Sequence, residues 1–185
     1  MQQNWFVGLE VEAARWFEPL VADAPSCVHV LHPGDLHATV AFFGGVGEEA
    51  AMRAWHAISE ERLEIFDVAL GGVAPMGNPR RPSALSVLLT DGREVAASLI
   101  ARLRPTLIDE AGAKPDTRPP KPHITIARPH RNASAAERRR AVAWAEGKEP
   151  IAAQIHIARL ALYTWSEDRR ARQFRIVASR QLVPK

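Results

Sequence analysis

Short apolar runs alternate along the chain with stretches whose apolar residues recur every three or four positions. Residues 5–11 predict a first strand, and residues 12–21 follow with helical spacing. Residues 28–32 and 36–43 read as a strand pair separated by the turn Pro33-Gly34-Asp35, with Gly44-Gly45 closing that unit. Residues 48–63 carry Met52, Trp55, Ile58 and Leu63 at helical intervals; residues 64–70 are extended, and 71–82 read as a loop rich in Gly, Pro and Arg. The second half repeats the theme. A strand over 85–89 and the Asp91-Gly92 turn lead into a long helix with apolar positions Val95, Leu99, Leu103 and Leu107, in which Pro105 predicts a kink or a break. Residues 115–122 are too proline-rich for a helix and feed a strand over 123–128. Residues 134–146 form a polar helix with Ser134 and Glu137 as a capping box. Two long strands over 151–163 and 173–183, joined by a charged turn over 166–172, close the chain. Mixed strands and helices with hairpin spacings of this kind fit an α+β fold better than a doubly wound parallel sheet.

The 185 residues suit one compact domain, and 46% hydrophobic with 24% charged residues excludes a disordered chain. A lone cysteine, Cys27, allows no internal disulfide and reads as a structural thiol. The first residues lack the basic flank of a signal peptide, and no run approaches the ~20 apolar residues that span a bilayer. A cytoplasmic monomer without membrane contact is expected. Charge is uneven: residues 1–92 carry −7 and residues 93–185 carry +10, for a net +3. A basic half attracts an anionic partner, although a solvated basic face would look the same.

Self-similarity supplies the chemistry. Asp35-Leu36-His37-Ala38-Thr39-Val40-Ala41 and Lys121-Pro122-His123-Ile124-Thr125-Ile126-Ala127 both read His-x-Thr-apolar-Ala, 86 positions apart, each at the start of a predicted strand. In a strand, His and Thr two apart project to the same side, about 6.6 Å from each other. One such element is ordinary packing; two in matching contexts can set two imidazoles and two hydroxyls across a shared cleft. Displacement at phosphorus needs a base on the attacking oxygen and an acid on the leaving oxygen, and histidine serves either role near neutrality. Threonine hydroxyls can hydrogen-bond the non-bridging oxygens, so this scheme requires no metal.

With their flanking Phe42-Phe43-Gly44 and Arg128, the paired motifs resemble the two HxTx elements of the 2H phosphoesterase superfamily. They specifically resemble the bacterial and archaeal RNA 2′,3′-cyclic phosphodiesterases, also called 2′-5′ RNA ligases. That resemblance implies one bilobal domain over residues 1–185, with antiparallel sheets flanking a central cleft and helices outside. It implies hydrolysis of RNA 2′,3′-cyclic phosphate ends to 2′-phosphates without cofactor or metal, with His37 as proton donor and His123 as acceptor. The near-symmetric motifs alone leave those two roles interchangeable. Thr39, Thr125 and Arg128 would bind the phosphate; strict alternation puts Arg128 on the face opposite His123, so a bulge or the strand end must turn it inward. The family often carries a glycine and a tyrosine at the last hairpin, where this chain has Arg170-Ala171-Arg172-Gln173-Phe174.

Competing readings are ATP-independent 2′-5′ joining of RNA ends and a non-catalytic RNA-binding module. Tyr163, Trp165 and Phe43 are candidates for base stacking, with packing as the plainer role. His29 and His32 have opposite strand parity and do not make a metal site, and His56, His130 and His156 read as ordinary surface or partly buried residues. Arg80-Arg81 is a candidate RNA-backbone contact, whereas Arg138-Arg139-Arg140 fan around a helix and read as a solvated face.

Overall fold

The computed structural model describes residues 3–78 and 81–184. In chain order the elements are β1 (Trp5–Glu10), α1 (Ala14–Val21), β2 (Val28–Val30), a 3-10 turn (Pro33–Asp35), β3 (His37–Gly44), α2 (Glu48–Ala57), β4 (Phe66–Asn78), β5 (Arg81–Leu89), α3 (Arg93–Glu110), β6 (His123–Pro129), α4 (Ala135–Glu146), β7 (Gln154–Ile157), β8 (Arg159–Trp165) and β9 (Phe174–Gln181). The strands form one nine-stranded antiparallel sheet in the order β7-β4-β5-β6-β3-β1-β8-β9, with β2 also paired to β6. The fold class is α+β, as expected.

Two halves of that sheet meet where β3 lies beside β6, paired at Ala38 and Ile124. One lobe holds β1, β3, β8 and β9, with α2 and α3 packed on it; the other holds β2 and β4–β7, covered by α4. The lobes are not the two halves of the sequence. Strands β8 and β9 return to the first lobe because β1 pairs with β8 from Trp5–Thr164 to Leu9–Leu160. Buried side chains on both faces hold the junction, among them Val7, Leu85, Ile124, Ile126 and Leu160, each at most 0% exposed. Each such aliphatic contributes roughly 1.5–3 kcal/mol of transfer free energy.

Several expected elements differ in ways that matter to the site. Strands β2 and β3 do not form a hairpin: both run antiparallel to β6, and the 3-10 turn is looped out between them. The described residues of the expected Gly71-to-Pro82 loop are strand. They continue β4 and begin β5, which pair from Leu70–Leu89 to Asn78–Arg81. Pro75 fits there because β7 covers β4 only from Phe66 to Ala69, leaving the missing N–H of Pro75 on an open edge. Helix α2 stops at Ala57, and residues 151–163 divide into β7 and β8, which serve different lobes. Helix α3 runs through Pro105 without a break. Its buried face is Ala96, Leu99, Ile100, Leu103, Leu107 and Ile108, and that packing outweighs one lost helical bond. Val95 lies off this face, 51% exposed. The capping box on α4 is present as expected, and Cys27 is buried. No helix among the described residues is long and apolar enough to cross a membrane.

Gly92 joins β5 to α3 with φ +73°, and a Cβ there would stand 2.2 Å from the Asp67 carbonyl oxygen. Gly92→Ala is expected to destabilise the fold by about 2 kcal/mol or more, through left-handed strain and overpacking. Urea unfolding checks this; an unchanged midpoint would contradict the placement of that turn.

Candidate active site

The looped-out 3-10 turn delivers the first histidine. His37 opens β3 directly after it, and its Nδ1 lies 2.7 Å from the Asp35 carbonyl oxygen. The second histidine opens β6 after the proline-rich segment, with Nδ1 2.6 Å from the Lys121 carbonyl oxygen. Both bonds therefore run from an imidazole to the carbonyl two residues earlier. A carbonyl can only accept, so Nδ1 donates in both rings and Nε2 is left to take up or release a proton.

Antiparallel pairing about Ala38–Ile124 sets His37 across from Thr125 and Thr39 across from His123, all four on one face of the sheet. His37 and Thr39 form part of the wall of a cavity of about 770 Å³. His123 and Thr125 stand beside them rather than in that wall. Thr125 is 9% exposed, with Oγ1 3.2 Å from Ser86 Oγ.

Two bulges complete the arrangement. In β6, Ser86 pairs with Thr125 but Leu85 pairs with Ala127, so Ile126 is extra and the alternation reverses after it. Arg128 is thereby turned to the face of His123, into the cavity wall, where its Nη1 donates to the Ser83 carbonyl at 3.3 Å. In β3, Gly8 pairs with Thr39 and Val7 with Ala41, leaving Val40 extra. That reversal sends Phe42, 55% exposed, into the cavity and Phe43, the expected stacking candidate, into the core. Of the other stacking candidates, Trp165 lines the cavity and Tyr163 is buried behind His37.

His37 sits in an aromatic box. Its ring is 4.6 Å from Phe6, 5.2 Å from Tyr163 and 5.5 Å from Phe174. Gly8 lies beneath it, where a Cβ would come within 3.3 Å of His37 Cδ2. Burial pushes the His37 pKa down to about 4, against a partial opposing effect of the Asp35 hydrogen bond; Arg128 and His123 add repulsion. His123 is lowered as well, chiefly by burial. Arg128 is also lowered by burial. Both histidines are thus neutral at rest near pH 7.

Sequence reasoning missed Asp35. Its fully buried carboxylate accepts from the backbone N–H of Gln173 at 2.8 Å and of Phe174 at 3.4 Å, and from Arg172 Nε at 3.2 Å. Arg172 also donates to the Gly34 carbonyl. The side chain ties the β8–β9 connection to the turn whose carbonyl orients His37, which is how Gln173 and Phe174 come to line the cavity. The only sequence sign was an acidic residue in a Pro-Gly-Asp turn.

Other expectations sort plainly. His29 pairs with Arg128 across β2 and β6 and lines the cavity, while His32 Nδ1 accepts from Gly34 N at 3.0 Å. No group of three His, Cys, Asp or Glu side chains gathers among the described residues. Arg81 and Arg138 are in the cavity wall, so Arg138 departs from the solvated-face reading, whereas Arg139 and Arg140 keep to it. Arg80 lies outside the described residues. His130 is exposed at the cavity rim.

A family model of the 2'-5' RNA ligase superfamily matches residues 10–169, and the chain belongs to that family. Its chemistry is accordingly that of phosphoesters, by hydrolysis or ligation. No curated protein matches the chain. Among solved structures, E. coli LigT complexed with 3'-AMP superposes with a TM-score of 0.74 at 18% identity, covering 98% of this chain and 99% of that one. TT0787 of Thermus thermophilus gives 0.71 at 17% identity, with 98% and 99% covered. Usb1 of Kluyveromyces marxianus gives 0.55 at 13% identity, with 97% of each covered. At such identities the likeness establishes the fold.

A histidine with a depressed folded pKa makes the unfolded chain bind more protons, so its contribution to stability is greatest above pH 6.5 and is lost as pH falls toward 4. Between pH 7 and pH 4.5 the wild type is expected to lose about 2–3 kcal/mol more than His37→Asn. Urea titrations of both proteins at the two pH values read this directly. Equal losses would place His37 in a solvated setting.

Proposed function

We propose that the protein hydrolyses RNA 2′,3′-cyclic phosphate ends to 2′-phosphates by two-histidine acid–base catalysis. The observation that carries this reading is the matched pair of Nδ1-to-carbonyl bonds at His37 and His123, which leaves both Nε2 atoms for proton transfer on one sheet face. Water attacks phosphorus and gives a proton to His123 Nε2; the bond from phosphorus to the 3′-oxygen breaks, and that oxygen takes a proton from His37 Nε2. One P–O bond forms and one breaks, and the product keeps its phosphate on the 2′-oxygen.

Both imidazoles are lowered, so the division of roles rests on the resemblance of their motifs to the family's two HxTx elements. A His37 cation whose pKa is about 4 releases its proton more readily than an ordinary imidazolium, as a donor to an alkoxide-like leaving group should. An anionic phosphate between the rings supplies the counter-charge that lets His37 hold that proton until transfer. Thr39 and Thr125 hydrogen-bond non-bridging oxygens, and Arg128 adds a cation beside them. The complex of the 18%-identical LigT with 3'-AMP is in keeping with a nucleotide ligand in this fold.

The test is incubation of the purified protein with a nucleoside 2′,3′-cyclic phosphate in excess EDTA. Turnover to the 2′-nucleotide is expected, and His37→Ala and His123→Ala should each lower kcat/KM by at least about 100-fold. Binding without turnover would favour the RNA-binding module. Loss of turnover in EDTA would reject the metal-free scheme, and predominant joining to an added 5′-hydroxyl RNA would reverse the assigned direction.

A further inference from the structure

The cavity is larger than the reaction requires, and its surplus is basic. Beyond Arg128 its wall is made by Arg81 on β5, Arg131 in the turn after β6, and Arg138 on α4. Two stretches of chain distant in sequence, β5 and the turn that leads into α4, thus converge on one wall. Their contacts hold the wall together through backbone carbonyls. Arg128 donates to Ser83 O, Arg81 Nη2 to Arg131 O at 3.5 Å, and Arg138 Nη2 to His130 O at 3.1 Å and Arg131 O at 2.9 Å.

None of these four guanidinium groups forms an ion pair with a carboxylate among the described residues, although other arginines of the chain do. Each has five N–H donors, of which Arg81, Arg128 and Arg138 spend one or two on carbonyls. A wall of unneutralised cations focuses potential onto the cavity it lines.

Distance separates this wall from the reacting phosphate. From Thr125 to the end of β6 at Pro129 the strand makes three ladder steps around the bulge at Ile126, about 10 Å, and Arg131 follows in the turn after it. Arg131 is therefore set apart along the chain direction from a phosphate held by Thr39 and Thr125. The facing side of the cavity carries Phe42 and Trp165, the latter with Arg169 Cζ 4.2 Å above its ring. A phosphate-binding wall opposite aromatic faces suits a single strand, whose backbone and bases diverge to opposite sides.

We propose that Arg81, Arg131 and Arg138 form a second phosphate site that binds the internucleotide phosphate on the 5′ side of the reacting ribose. The site selects oligonucleotide ends over free cyclic mononucleotides. The inference rests on the reading of His37 and His123 given above and extends it to the class of substrate.

The experiment compares kcat/KM, at one fixed low salt concentration, for three substrates: a nucleoside 2′,3′-cyclic phosphate, the same compound bearing a 5′-phosphate, and a dinucleotide ending in a 2′,3′-cyclic phosphate. The wild type should favour the dinucleotide over the first substrate by at least about 10-fold, and Arg81→Ala/Arg131→Ala should bring that ratio close to one. An equal advantage for the 5′-phosphorylated mononucleotide would overturn selection of an oligonucleotide and assign the site to a terminal phosphate. A wild-type ratio near one, or a ratio unchanged in the double variant, would overturn the site itself. Binding of a labelled hexaribonucleotide keeps the two proposals distinguishable. Its log Kd against log salt should lose about 0.7 of slope per arginine contact removed. If none of the substrates is turned over, the assigned reaction falls while this slope still decides the arginine wall; an unchanged slope would overturn it.

Discussion

Each catalytic candidate depends on one local interaction, the hydrogen bond from imidazole Nδ1 to the carbonyl oxygen two residues earlier. The bond needs a backbone that bends just before the strand starts, so that a carbonyl faces back along the first side chain. A looped-out 3-10 turn supplies the bend before His37, and the proline-rich segment supplies it before His123. Because a carbonyl cannot donate, the bond fixes the tautomer as well as the ring direction. Two unrelated pieces of chain thereby present the same atom, Nε2, to the same side of the sheet.

Around those bonds the two sides of the site are built unequally. His37 is enclosed by Phe6, Tyr163 and Phe174, which keep water away and favour its neutral form. Asp35 keeps that enclosure closed: with its carboxylate removed, Arg172 and two backbone N–H groups would lose their acceptor, at a cost of about 1–3 kcal/mol for a buried N–H left unpaired. His123 is less enclosed and feels Lys121 as well as Arg128. Near-symmetric motifs therefore sit in different surroundings, although burial lowers both rings in the same direction.

The residues that alternation governs were legible in the sequence. His37, Thr39, His123 and Thr125 share a face because each pair is two apart within an unbroken strand start. What alternation could not give was Phe42, since an unpaired Val40 leaves no mark in composition yet exchanges it with Phe43 across the sheet. Arg128 needed the bulge at Ile126 for the same reason, and there the required irregularity could at least be anticipated. Gly71 and Gly72 read as a loop because their pairing partners in β5 lie elsewhere in the chain. Arg138 was misjudged because a helix face shows its neighbours only after the turn over Arg131 has packed against it. Antiparallel pairing of β1 with β8 was equally invisible, and it is what interleaves the two lobes.

Nitrogen-15 NMR of the two imidazoles tests the central claim most directly. The account predicts that in the free protein Nδ1 of His37 and of His123 carries the proton at pH 7, and that adding a 2′-nucleotide raises the pKa of both rings through protonation at Nε2. Protonated Nε2 in the neutral rings, or a phosphate that moves the titration of only one of them, would contradict a phosphorus atom shared between the two.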